Sequence, residues 1–140
     1  MKLPIPRIRR LLVPLDFSGQ SRQALRYAVP LAEKFSAEIV LLHVVEPVYG
    51  GSLEAAGYLP IPPKLSQATL RRLEEMAVTL VPAALRGLNI VRMGNPDDEI
   101  LGTARRLDVD MIVLTTHGRT GLKRFFIGST AEQVMRHATC

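Results

Sequence analysis

The chain has 140 residues, of which 47% are hydrophobic and 22% charged, so it is long enough for one globular domain with a real core and is not disordered. Its one cysteine, Cys140, excludes an internal disulfide framework and no Cys/His cluster suggests a metal, which makes cytoplasm the expected compartment. The net charge of +5 favours anionic partners, but aromatics are only 5% and no motif that reads DNA or RNA is present, so a nucleotide fits better than a nucleic acid.

The N-terminal stretch MKLPIPRIRRLLVPLDFS is too short and too interrupted by prolines for a secretory segment, and no apolar run is long enough to span a bilayer. Residues 8–15 (IRRLLVPL) read as a first strand ending at Asp16. Pro14 is tolerated near the strand's end, where its missing N–H matters least. Ser18 then caps a helix running to about Phe35, with Leu25, Ala28, Val29, Ala32 and Phe35 on one face and Pro30 kinking it. Residues 38–45 (EIVLLHVV) form an almost unbroken apolar run, as expected of a central parallel strand covered on both faces. His43 within it reads as a packed, hydrogen-bonded side chain rather than a catalyst.

Residues 47–63 are irregular and rich in Gly and Pro, yet carry enough apolar side chains to pack against something. Helical spacing resumes at Lys64 and runs to about Leu85 through Leu65, Leu70, Leu73, Met76, Ala77, Leu80 and Ala84, with Pro82 disrupting the last turn. Residues 88–92 are a third strand. Gly94-Asn95-Pro96 then opens a helix to about Leu107, with Asn95 as cap and Pro96 at the first helical position. Asp97, Asp98 and Glu99 complement the helix dipole there, a simpler role than metal ligation.

The apolar, β-branched run 110–114 is a fourth strand, and LTTHGRTGLKRFFIGST follows it. Ser129 reads as the cap of a closing helix over 131–138, with Glu132 completing a capping box. Between strand and helix lie Gly118, Gly121 and Gly128, the hydroxyls of Thr116 and Thr120, and three cations, Arg119, Lys123 and Arg124. Two readings stand: the glycines only turn the chain, or a basic glycine loop running into a helix N-terminus holds an anion. Alternating strands and helices predict a doubly wound parallel α/β sheet, with ligands beyond the carboxyl ends of the strands where strand order reverses. Asp16 and the 115–128 loop then face one crevice, which favours the anion.

Together LLVPLDFS, LLHVVEP, GNPDDEI and TTHGRTGLKRFFIGST resemble the universal stress protein (UspA-type) family over essentially the whole chain. The resemblance implies an open sheet in the order 3-2-1-4-5, a homodimer, and a role in cytoplasmic stress adaptation. Some members bind ATP through G-x-x-G, nine residues, then G-[S/T]. Here Gly118 is the second glycine, Gly128-Ser129 close the motif, and Thr115 replaces the first glycine. The resemblance places adenine against Asp16 and the backbone of Val44, and ribose near Gly94 and Thr115. The phosphates, with or without Mg, fall on Gly118, Arg119, Gly128, Ser129 and Thr130.

An extended backbone at Thr115 accommodates its side chain, whereas a positive φ strains it and displaces the phosphates. The family's last strand has no counterpart before Cys140, so the expected order is 3-2-1-4 with the fourth strand at the edge, in a chain truncated after Cys140. Three functions follow in order of preference. The first is a regulatory protein that binds ATP and at most hydrolyses it slowly, His117 being the sole titratable candidate and better read as a turn residue. The second is a dimeric interaction module without nucleotide. The third, a nucleotide-activating enzyme, lacks SGGxDS, HIGH and KMSK signatures.

Overall fold

The apolar runs become strands in the middle of the molecule and the amphipathic segments become the helices that cover them. A computed structural model describes residues 7–47, 62–116 and 127–140. Expectations for 48–61 and for His117, Gly118, Arg119 and the rest of 117–126 lie outside the described residues. The elements are β1 (Arg10–Pro14), α1 (Gly19–Phe35), β2 (Glu38–Val45), α2 (Pro63–Leu80), β3 (Arg86–Met93), α3 (Pro96–Arg106), β4 (Met111–Ile112) and α4 (Ser129–His137), with a 3₁₀ turn at Ala83–Leu85. The four strands pair in the order β3-β2-β1-β4, and every pairing is parallel, as the sequence predicts.

Parity along the strands divides the core into two layers. Leu11, Val13, Ile39 and Leu41 pack with Ala24, Leu25 and Ala28 of α1 and with Leu73, Met76 and Ala77 of α2. Leu12, Val40 and Leu42 point the other way, onto Ile100, Leu101 and Ala104 of α3 and Val134 of α4. Each of these strand residues is at most 1% exposed, which is why β1 and β2 read as unbroken apolar runs rather than alternating ones.

Ser18 caps α1 as expected, its hydroxyl oxygen accepting from the Ser21 N–H at 3.1 Å, and α1 runs through Pro30 without ending. The predicted second helix is too long. It stops at Leu80 because Val81 precedes Pro82 and is held extended, at φ −114° and ψ 124°. Leu65, placed on the packed face by spacing, is instead 49% exposed.

Strand three is longer than predicted. It starts at Arg86, and its extra residue is taken up as a bulge between Arg86 and Asn89, opposite Ile39–Leu41 of β2. Gly87 lies in that bulge, where a Cβ would come within 2.9 Å of the Ile39 carbonyl oxygen. Strand four is shorter than predicted, two residues paired with Leu11 and Leu12, and it forms the sheet edge. Asp110 ties this edge to β1: its N–H donates to the Arg10 carbonyl at 3.0 Å, and its Oδ2 accepts from the Arg9 and Arg10 N–H groups at 2.8 and 3.0 Å.

Candidate functional site

Strand order reverses between β1 and β4, so the chain leaves these neighbours in opposite directions and a crevice opens beyond their carboxyl ends. The β1 side of the crevice is held residue by residue. Leu15 donates its N–H to the Leu42 carbonyl at 2.8 Å, and its own carbonyl lies 2.7 Å from His43 Nδ1. Because a carbonyl only accepts, Nδ1 carries the proton. The expected packed, hydrogen-bonded histidine is therefore what β2 presents. At Asp16, Oδ1 accepts from the Ser18 N–H at 2.9 Å, closing a tight turn into the Ser18 cap of α1. The alternation of β1, continued past Pro14, assigns Asp16 to the α3–α4 face, the face shared by Leu12, Val40, Leu42 and Val44.

Phe17, between Asp16 and Ser18, has φ 64°. An aromatic residue in that region costs on the order of 1–3 kcal/mol and persists only where its surroundings hold it. Two contacts do so here. The His43 ring lies 4.4 Å from the Phe17 ring at an interplanar angle of 32°, and the Arg72 guanidinium carbon of α2 lies 4.1 Å from the Phe17 ring centroid. A cation over a ring at an exposed position contributes about 0.5–1 kcal/mol, enough to offset part of the strain.

On the β4 side the last rung of the sheet is Val113 N–H to the Leu12 carbonyl, at 2.9 Å, after which Thr115 and Thr116 leave the strand. The far end of the following loop returns to this point, since Gly128 N–H donates to the Thr116 carbonyl at 2.7 Å. A Cβ on Gly128 would sit 3.0 Å from that carbonyl oxygen, so close approach is what requires glycine there; its φ is −60°. Positive φ among the described non-glycine residues is confined to Phe17, Ser36 and Asp108. Thr115 is thus not in the strained region, and replacement of a glycine by threonine carries no backbone penalty.

The α4 start corrects the sequence reading. The cap is Gly128, extended at φ −60° and ψ 148°, and Ser129 is already the first helical residue. No capping box forms, because Glu132 donates its N–H to the Gly128 carbonyl while its Oε1 accepts from Arg136 Nη2 at 2.8 Å. Gly128 has no side chain with which to cap α4, and the first N–H groups of the helix, at Ser129 and Thr130, have no intrahelical acceptor. Asn95 does cap α3 in an extended conformation, though without a side-chain hydrogen bond.

Of the nine predicted site residues, Asp16, Thr115, Gly128, Ser129 and Thr130 stand around the β1–β4 reversal. Val44 lies one strand away near the end of β2, and Gly94 two strands away at the end of β3. Gly94 has φ 150° and donates to the Val45 carbonyl at 3.1 Å. Gly118 and Arg119 fall outside the described residues. An open depression of about 470 Å³ runs along α1 beside β4 and is lined by Gln20, Gln23, Tyr27, Val113, Thr115 and Thr116. Sequence reasoning missed Phe17, Arg72 and the Thr116 carbonyl. An Asp-x-Ser turn ahead of a helix could have drawn attention to Phe17, but nothing local marks Arg72.

An open parallel sheet wound on both faces, with helix N-termini and turn glycines gathered at its carboxyl edge, belongs to the doubly wound α/β class. Comparison with known proteins narrows this: residues 7–140 match the Universal stress protein family, and the chain belongs to that family. Universal stress protein YxiE of Bacillus subtilis is 32% identical, with 94% of each chain covered. Universal stress protein MJ0531 of Methanocaldococcus jannaschii is 31% identical over 94% of this chain and 78% of its own. The solved structure of MJ0577, from the same archaeon, superposes with a TM-score of 0.77 at 25% identity, covering 96% of this chain and 92% of its own. More distant likenesses, which bear on fold alone, include a universal stress protein in complex with cAMP (TM-score 0.63, 20% identity, 96% and 93% covered). Another is the universal stress protein from Archaeoglobus fulgidus in complex with dAMP (TM-score 0.62, 18% identity, 94% and 92% covered).

Proposed function

We propose that the chain is a single-domain regulatory protein of stress adaptation that binds an adenine nucleotide, ATP above all, in the β1–β4 crevice. The observation that carries this reading is the pairing of β1 with β4, which sets Asp16, just past β1, at the same sheet edge as the α4 N-terminus that Gly128 latches to the Thr116 carbonyl, just past β4. The donor set suits the ligand. Asp16 supplies an acceptor for the adenine amino group, next to the backbone of Val44, and Gly94 and Thr115 flank the ribose. Gly128, Ser129 and Thr130 bring backbone N–H groups and the helix dipole to the phosphates, and the family motif assigns Gly118 and Arg119 to the same phosphates. Universal stress proteins of the same fold have been solved in complex with cAMP and with dAMP, both adenine nucleotides.

No role here demands rapid chemistry. The residues bind and orient, so any hydrolysis is slow and the output is occupancy, read by a partner or by a second copy of the chain in a homodimer. Isothermal titration with Mg-ATP tests the reading: saturable binding is expected, with loss on Gly118→Val. A flat titration would instead favour an interaction module without nucleotide. Mass spectrometry of gently purified protein for a retained nucleotide is the independent check.

A further inference from the structure

The Arg72–Phe17–His43 stack is not part of the proposed nucleotide contacts, yet it grips the residue next to Asp16. We propose that Phe17, held in its left-handed conformation by Arg72 and His43, is the positioning residue that sets the Asp16 carboxylate at the crevice; this rests on the adenine-nucleotide reading above. Four consecutive residues carry the argument. Leu15 is fixed through both its N–H and its carbonyl, the latter to His43 Nδ1 at 2.7 Å. Asp16 is turned back onto the Ser18 N–H at 2.9 Å, closing the turn around the intervening residue. That residue is Phe17, at φ 64°, a conformation an aromatic side chain does not hold unaided. The ring is held from outside the turn by His43 at 4.4 Å and by the Arg72 guanidinium at 4.1 Å.

Three parts of the fold thus converge on one turn: β1, β2 through His43, and α2 through Arg72. Glycine would reverse the chain at no steric cost but would leave the turn free to sample other conformations. Phenylalanine accepts strain in return for a fixed carboxylate, which lowers the ordering cost of binding. Arg72 is itself exposed, so the clamp can be opened without disturbing the core.

The test uses the full chain with Arg72→Ala and Phe17→Gly, both expected to keep the fold by circular dichroism. Two readouts separate the two ideas. Hydrogen exchange at the Ser18 amide, followed without ligand, reports the clamp directly and is expected to speed up in both variants. Titration with ATP and with purine riboside triphosphate, which lacks the exocyclic amino group, reports its use. A preorganised Asp16 predicts that ATP weakens by roughly three- to tenfold in each variant while the analogue changes little. Arg72→Lys should recover part of that selectivity. Unchanged exchange at Ser18, or equal weakening of both nucleotides, would overturn the positioning role. Wild-type protein that ignores ATP while the variants lose Ser18 protection would reject the nucleotide reading and leave the clamp standing as a structural device.

Discussion

Gly128 and Thr115 show how differently two positions of one motif can be constrained. Gly128 has an ordinary φ of −60°, but its Cα approaches the Thr116 carbonyl so closely that a Cβ would lie 3.0 Å away. Gly128→Ala should therefore push the latch open by a few tenths of an ångström, lowering stability by about 1 kcal/mol in chemical denaturation and weakening ATP in the same protein. Thr115 shares neither constraint, being outside the positive-φ region. Thr115→Gly should not raise ATP affinity, read by titration, since the change relieves no backbone strain. Ser129 makes the same point for stability. It is the first residue of α4 rather than its cap, so Ser129→Ala should cost less than about 0.5 kcal/mol, against about 1 kcal/mol for a lost cap.

Among the secondary-structure elements, the weakest prediction concerned β4. Its apolar run 110–114 promised five strand residues, yet only Met111 and Ile112 pair in register, flanked by the Asp110 and Val113 N–H bonds to the Arg10 and Leu12 carbonyls, after which the chain departs. The bulge that joins β2 to β3 is the opposite case, a feature with little local signature and a strong packing consequence. Gly87→Ala places a Cβ within 2.9 Å of the Ile39 carbonyl, and a backbone oxygen in a central strand cannot swing aside. A loss of about 1–3 kcal/mol is expected, seen as a lower denaturant midpoint with an unchanged slope.

For the whole molecule, the decisive fact is that strand order reverses between β1 and β4. It brings Asp16, early in the chain, beside Thr115 and Gly128, late in the chain. A ligand bridging these segments binds the folded state and not the unfolded one. ATP at a hundred times its dissociation constant should therefore raise stability by about 2.7 kcal/mol, measured as a concentration-dependent rise in the thermal midpoint. Loss of that rise in Asp16→Ala, measured against the variant's own ligand-free midpoint, would tie the effect to the crevice rather than to nonspecific anion binding.

How much of this was legible beforehand follows from the range of each interaction. The doubly wound parallel sheet and its helices could be read from the chain alone, because apolar runs and 3.6-residue spacing are local patterns that burial on two faces imposes on every strand and helix, whereas the strand order came from the family resemblance. That the segments after β1 and β4 leave the sheet at one edge was legible too, through the rule that places loops beyond parallel strands there. Where the capping, strain and close approach lie was decided only in three dimensions. Gly128 displaces Ser129 as cap because the loop must return to Thr116. Phe17 bends into the left-handed region because His43 and Arg72, distant in sequence, close on its ring. Backbone dihedrals at such turns are set by contacts from elsewhere in the fold, and residue identity at the turn carries no record of them.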